Sequence, residues 1–126
     1  MELRVARHTN RIDEIIDFYT NILGLEILGN FENHNNYNGV FIGKQNKDWH
    51  LEFTTTSEEV HHFPDEDDCL VFYPKTNLEY DEIKSKLNSF KIEAIEPKNP
   101  YWKNNGISIK DPDGFFVIIS HIKIKS

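Results

Sequence analysis

The sequence predicts an α+β chain built from two similar halves. Three observations carry that expectation. Apolar residues recur twice at helical spacing, each helical stretch is flanked by short runs rich in β-branched and aromatic residues, and the order of elements repeats about half a chain later. Each half reads strand, helix, then three strands. Residues 1–56 form the first βαβββ module, 57–67 a connector and 68–126 the second module within one domain.

The first module begins with strand character over Leu3 to His8. The period then changes. Ile12, Ile15, Ile16, Tyr19, Ile22 and Leu23 share one helical face while Asp13, Glu14 and Asp17 take the rest, which predicts a helix capped by Asn10 and ended at Gly24. Acidic residues in its first turn suit the helix dipole. Leu25 to Phe31, Gly39 to Gly43 and Trp49 to Thr55 follow as an antiparallel meander, separated by Asn-rich and polar turns. From Ser57 to Asp68 neither period survives, which marks the connector.

The second module repeats this order. Cys69 to Tyr73 is strand-like, Asn77 is positioned to cap a helix carrying Tyr80, Ile83 and Leu87, and Ile92 to Ile95 reads as a strand. Gly106 to Ile109 and Phe115 to Ile119 complete the set, with Asp111-Pro112-Asp113-Gly114 as the turn between them.

Composition bounds the function. A formal net charge of −7 disfavours nucleic acid and anionic membrane surfaces as partners. A lone cysteine, Cys69, rules out an internal disulfide and a Cys-rich zinc site. With no signal-like N-terminus and no long apolar run, a cytoplasmic protein is expected. No Gly-rich phosphate loop or serine elbow occurs.

Three stretches resemble the vicinal oxygen chelate superfamily, which includes glyoxalase I, extradiol dioxygenases, and fosfomycin- and bleomycin-resistance proteins. Ile16-Asp17-Phe18-Tyr19 through Gly24-Leu25-Glu26-Ile27-Leu28 resembles the family's first helix and its exit. Trp49-His50-Leu51-Glu52-Phe53 resembles its fourth strand, and Asn99-Pro100-Tyr101-Trp102, Gly106 and Asp111-Pro112-Asp113-Gly114 resemble its closing segment. The resemblance implies paired βαβββ modules whose curved mixed sheet encloses a small-molecule cleft, usually in a homodimer. It also implies metal ligands at fixed strand positions, which fall here on Arg4, Glu52, a residue near Asp68, and Ile118.

Arginine has no lone pair to donate and isoleucine has no donor atom, so the usual centre is broken. The expectation is a protein with no cofactor, Glu52 being the remaining donor should a divalent metal bind at all. Strand alternation places His50, Glu52 and Thr54 on one face, with Arg4, Ala6 and His8 on a face of the first strand. If the family register holds, Arg4 meets Glu52 across the cleft, its guanidinium standing where the ion would be and binding an anionic or carbonyl oxygen. Glu52 and His50 are the acid–base candidates, although two residues along a strand separate side chains by about 7 Å. Tyr37, Trp102 and Phe116 are candidate aromatic walls, and with Arg4, His8, Glu52, Asp68 and Ile118 they make up the ligand-binding set. Two functions follow: a metal-free protein that binds a small molecule, or a lyase- or isomerase-like enzyme acting on a small oxygenated substrate.

Overall fold

The computed structural model describes residues 1–125, which divide into two compact units between His61 and His62. The class is α+β, with two mixed, open sheets rather than one. In the first unit the strands are β1 (Leu3–His8), β2 (Glu26–His34), β3 (Tyr37–Gly43) and β4 (Trp49–Thr55). They run in the order β1-β4-β3-β2, with β1 parallel to β4 and the other pairs antiparallel. Asn35 and Asn36, at φ 53° and 71°, form the two-residue turn between β2 and β3, a backbone region asparagine tolerates better than most residues.

The first helix, α1, spans Ile12–Asp17 and widens into a π turn over Phe18–Ile22, where the Leu23 N–H reaches back to the Phe18 carbonyl at 3.2 Å. Ile15, Phe18, Tyr19 and Ile22 bury against the side of the sheet that carries Val40, Ile42, Leu51 and Phe53. Tyr19 stacks on Phe53 at 5.1 Å between centroids. Arg7 joins this side by laying its guanidinium over Phe53 and donating to the Tyr19 hydroxyl at 3.2 Å. Asn10 is not the cap. Its amide instead bridges to the backbone of Val60, and the Thr9 hydroxyl accepts from the Arg11 N–H. Gly24 ends the helix as expected, at φ +75°.

The second unit holds β5 (Cys69–Phe72), α2 (Asn77–Ser89), a 3₁₀ turn (Pro100–Lys103), β6 (Ile107–Lys110) and β7 (Phe116–Ile119), with strand order β5-β7-β6. The α2 cap is Thr76, one residue before the expected Asn77, and its hydroxyl accepts from the Glu79 N–H at 3.1 Å. Lys91, at φ +57°, closes α2: its N–H bonds to the Asn88 carbonyl, and that of Ile92 bonds to Leu87.

The strand expected at Ile92 to Ile95 does not form. One bond, from the Ile95 N–H to the Ser108 carbonyl at 2.8 Å, joins it to β6. The helix-closing turn uses the Ile92 N–H, and Pro97 and Pro100 have none to offer, so a ladder cannot extend. The Asp111 to Gly114 turn does form. The buried Asp111 carboxylate accepts from the N–H groups of Asp113 and Phe115 at 2.9 and 3.1 Å, and Gly114 takes φ +86°. Among the described residues no helix is long and apolar enough to cross a membrane.

Candidate functional site

In the first unit, burying Leu51 and Phe53 against α1 turns the alternate residues His50, Glu52 and Thr54 to the opposite side of the sheet. The parallel register sets Arg4 beside His50, Ala6 beside Glu52 and His8 beside Thr54. Arg4 and Glu52 therefore meet diagonally on neighbouring strands of one sheet, and not across a cleft. Their charged groups are 3.9 Å apart, with the Glu52 side chain 14% exposed and that of Arg4 52%. Arg4 binds His50 more closely, its Nε–H donating to Nε2 at 3.0 Å.

That bond has a chemical consequence. An Nε2 that accepts from arginine has its lone pair engaged, which assigns the proton to Nδ1, 3.5 Å from a Glu2 carboxylate oxygen. In this arrangement His50 orients Arg4 and has no free nitrogen with which to act as a base. Phe41, next to Glu52 on β3, completes the setting: the Arg4 guanidinium lies 4.8 Å from its ring centroid, and the ring meets His50 edge-on. Phe41 was readable from strand alternation but has no polar atom to draw notice. Farther along, His8 bonds through its two nitrogens to the Thr54 and Thr56 hydroxyls at 2.9 and 3.1 Å and touches Tyr37 edge-on. Gly39 keeps this face open for Phe31, whose ring lies 2.4 Å from where a Cβ would sit.

The second unit repeats the parallel pairing with different chemistry. Cys69 pairs with Phe116 and Val71 with Ile118, so with Ile118 matched to Glu52, the position matching Arg4 is Cys69. Asp68 lies one residue outside β5, is exposed, and takes no part in the cavity that this face forms. That cavity, about 30 Å³ and open to solvent, is walled by Trp102, Phe116, Ile118 and Cys69, and Glu66 and Asp67 also line it. Burial, then the charges of Asp67 and Asp68, push the Cys69 thiol above its ordinary pKa and keep it protonated. Trp102 is placed by the 3₁₀ turn, whose start is capped by the Asn99 side chain accepting from the Tyr101 N–H at 3.1 Å. Gly106 allows β6 to pass close to β7, since a Cβ there would lie 2.9 Å from both Ile118 and the Ile119 carbonyl.

The metal implied by the family does not fit these residues. Arg4 and Ile118 offer no lone pair, Cys69 is held as the thiol, and Glu52 already faces Arg4. Among the described residues no three His, Cys, Asp or Glu side chains converge on a common point.

Two family models match the chain: the YycE-like N-terminal domain over residues 3–54 and the YycE-like C-terminal domain over residues 67–121. The uncharacterized protein YycE of Bacillus subtilis is 41% identical over 123 residues, covering 97% of this chain and 88% of its own. The crystal structure of a YycE protein from that organism, of unknown function and grouped with glyoxalase and fosfomycin-resistance proteins, matches 99% of this chain and 90% of its own at TM-score 0.85 and 40% identity. At the level of fold, the trypanothione-dependent glyoxalase I of Leishmania major matches at TM-score 0.75 and 19% identity, covering 98% of this chain and 87% of its own. TnmS3, an antibiotic-binding protein from Streptomyces sp. CB03234, matches at TM-score 0.67 and 14% identity, covering 96% and 94%. The chain belongs to the YycE-like family, within the vicinal oxygen chelate superfamily of glyoxalase, fosfomycin-resistance and bleomycin-resistance proteins.

Proposed function

We propose that this protein binds a small molecule on the open face of its first sheet, using the Arg4 guanidinium in place of the superfamily's metal ion. The observation that carries this reading is the double hold on Arg4: His50 Nε2 at 3.0 Å and the Glu52 carboxylate at 3.9 Å, over the Phe41 ring. A guanidinium held by two of its edges keeps N–H groups for a ligand oxygen, and a carboxylate, phosphonate or polarised carbonyl suits its fork. An antibiotic-binding protein among the fold neighbours supports small-molecule binding as a use of this architecture. The same reading includes a cytoplasmic homodimer, supported by the edge strand β1, where Leu3 and Val5 are exposed.

The test is calorimetric titration with small carboxylates and phosphonates, fosfomycin among them, on the wild type and on Arg4→Ala. The expected result is at least one binder whose affinity falls tenfold or more in the variant while the circular dichroism spectrum is unchanged. Equal affinity in the two proteins would sink the proposal. A second reading has Glu52 as the acid–base group of a lyase- or isomerase-like enzyme. It is supported by a carboxylate only 14% exposed whose distance to Arg4 is long for a hydrogen bond. It predicts turnover that vanishes in Glu52→Gln while binding persists.

A further inference from the structure

Ser108 has an unusual position. It lies on β6 opposite Ile118, is 5% exposed, and lines the cavity of the second unit. Its hydroxyl has no hydrogen-bond partner among the described residues. A buried hydroxyl left unpaired costs stability, and an alanine there would bury the same surface at no such cost. The neighbouring serine is a useful contrast: Ser120 is fully buried, yet its hydroxyl donates to the Asn105 carbonyl at 2.6 Å. Ser108 therefore offers a hydroxyl without a partner among the described residues, in the lining beside Trp102, Phe116 and Ile118.

Glu66, Asp67 and Glu96 line the cavity with Lys98, which is 3.6 Å from Asp67, while Lys103 reaches Glu96 at 3.6 Å. The excess is negative. The effect reaches the interior, because Asp67 and Asp68 both disfavour the thiolate of Cys69. An anion entering here meets Glu66, which no cation pairs among the described residues, and lysines already engaged by Asp67, Glu96 and the Phe116 ring. A flat organic cation meets a favourable potential, the ring of Trp102 on one wall, and an oxygen in the lining that accepts an N–H.

We propose that the cavity of the second unit is a binding site for a small planar cation of the amidinium or amino-heterocycle class, which donates an N–H to Ser108 Oγ and lies against Trp102. The proposal rests on the small-molecule reading above and extends it by assigning this unit a ligand group opposite in charge to the one suited to Arg4.

Benzamidine is the direct probe, with benzamide as its neutral counterpart and benzoate as its anionic one. Each is titrated into the ¹⁵N-labelled full chain, following the backbone amide signals of Cys69, Ser108 and Ile118. Benzamidine is expected to shift these signals saturably, benzamide to bind at least five times more weakly, and benzoate to leave them unmoved. Ser108→Ala is expected to weaken benzamidine at least fivefold, and Asp67→Asn to weaken it less. Arg4→Ala is expected to leave benzamidine binding unchanged, so that failure of the first-unit reading and failure of this one give different results. Benzoate binding as tightly as benzamidine, no saturable shift with benzamidine, or undiminished binding by Ser108→Ala would each overturn the proposal.

Discussion

The two units place different chemistry on the same strand frame. In each, a first strand runs parallel to a last one and alternate residues share a face. At matched positions the first unit has Arg4 and Glu52, and the second has Cys69 and Ile118. In the first the polar groups are mutually engaged: Arg4 with His50 and Glu52, and His8 with two threonines. In the second the face carries Cys69, Phe116 and Ile118 with Lys110 over the Phe116 ring, and the buried Ser108 hydroxyl has no partner among the described residues. Backbone pairing thus fixes where side chains stand, and residue type alone decides whether a position suits a metal, an anion or a cation.

The largest effect is expected in the core beneath the first face. Phe53→Ala removes a ring 1% exposed that stacks on Tyr19 and supports Arg7, and is expected to cost about 3–5 kcal/mol by urea unfolding. A loss below about 1 kcal/mol would mean that the sheet does not rest on this residue.

A smaller effect, opposite in sign, is expected from the second unit. Ser108→Ala should leave stability unchanged or raise it by about 1 kcal/mol, because no bond is lost and a buried unpaired hydroxyl is removed. Destabilisation of about 2 kcal/mol or more would reveal a partner for Ser108 and remove the contrast.

The helix ends compare in the same way. Gly24 and Lys91 both close helices with positive φ, at +75° and +57°, but only lysine carries a Cβ that resists that region. Lys91→Gly is expected to stabilise the chain by up to about 1 kcal/mol, read from the denaturant midpoint, whereas Gly24→Ala should destabilise it by a similar amount.

The smallest expected effect is on Cys69 reactivity. Burial first, then Asp67 and Asp68, raise its pKa, so the thiolate fraction and the rate of iodoacetamide labelling should rise only at a pH above that of an ordinary thiol. Asp67→Asn should move the labelling profile toward lower pH. A wild-type profile centred below that of free cysteine would contradict the assignment.

Much of this arrangement was legible in the sequence where one face of an element is buried. The β4 strand was read with both its ends, because Leu51 and Phe53 alternate with His50, Glu52 and Thr54 and only one register buries the apolar pair. Arg4, a position the family resemblance implies, lies within β1, where strand character was read over Leu3 to His8. Ile92 to Ile95 misled because β-branched residues report suitability for a sheet but not whether a neighbour has N–H groups to pair with. The caps at Thr76 and near Arg11 were misplaced because Thr, Asn and Ser compete for such positions and single-residue offsets depend on backbone geometry. The third ligand position was placed only near Asp68 because the connector blurs the count by a residue either way, and Asp68 lies one residue outside β5. Ser108 could not be singled out, since nothing in a sequence distinguishes a bonded buried hydroxyl from an unbonded one.

The central claim is that Arg4 occupies the place a metal ion takes in the superfamily. It is tested most directly by elemental analysis of protein purified without chelator and supplied with Ni²⁺, Zn²⁺, Fe²⁺ and Mn²⁺ during expression. Well under one ion per chain, unchanged in Glu52→Gln, is the predicted result. One tightly held ion per chain, lost in Glu52→Gln, would contradict it.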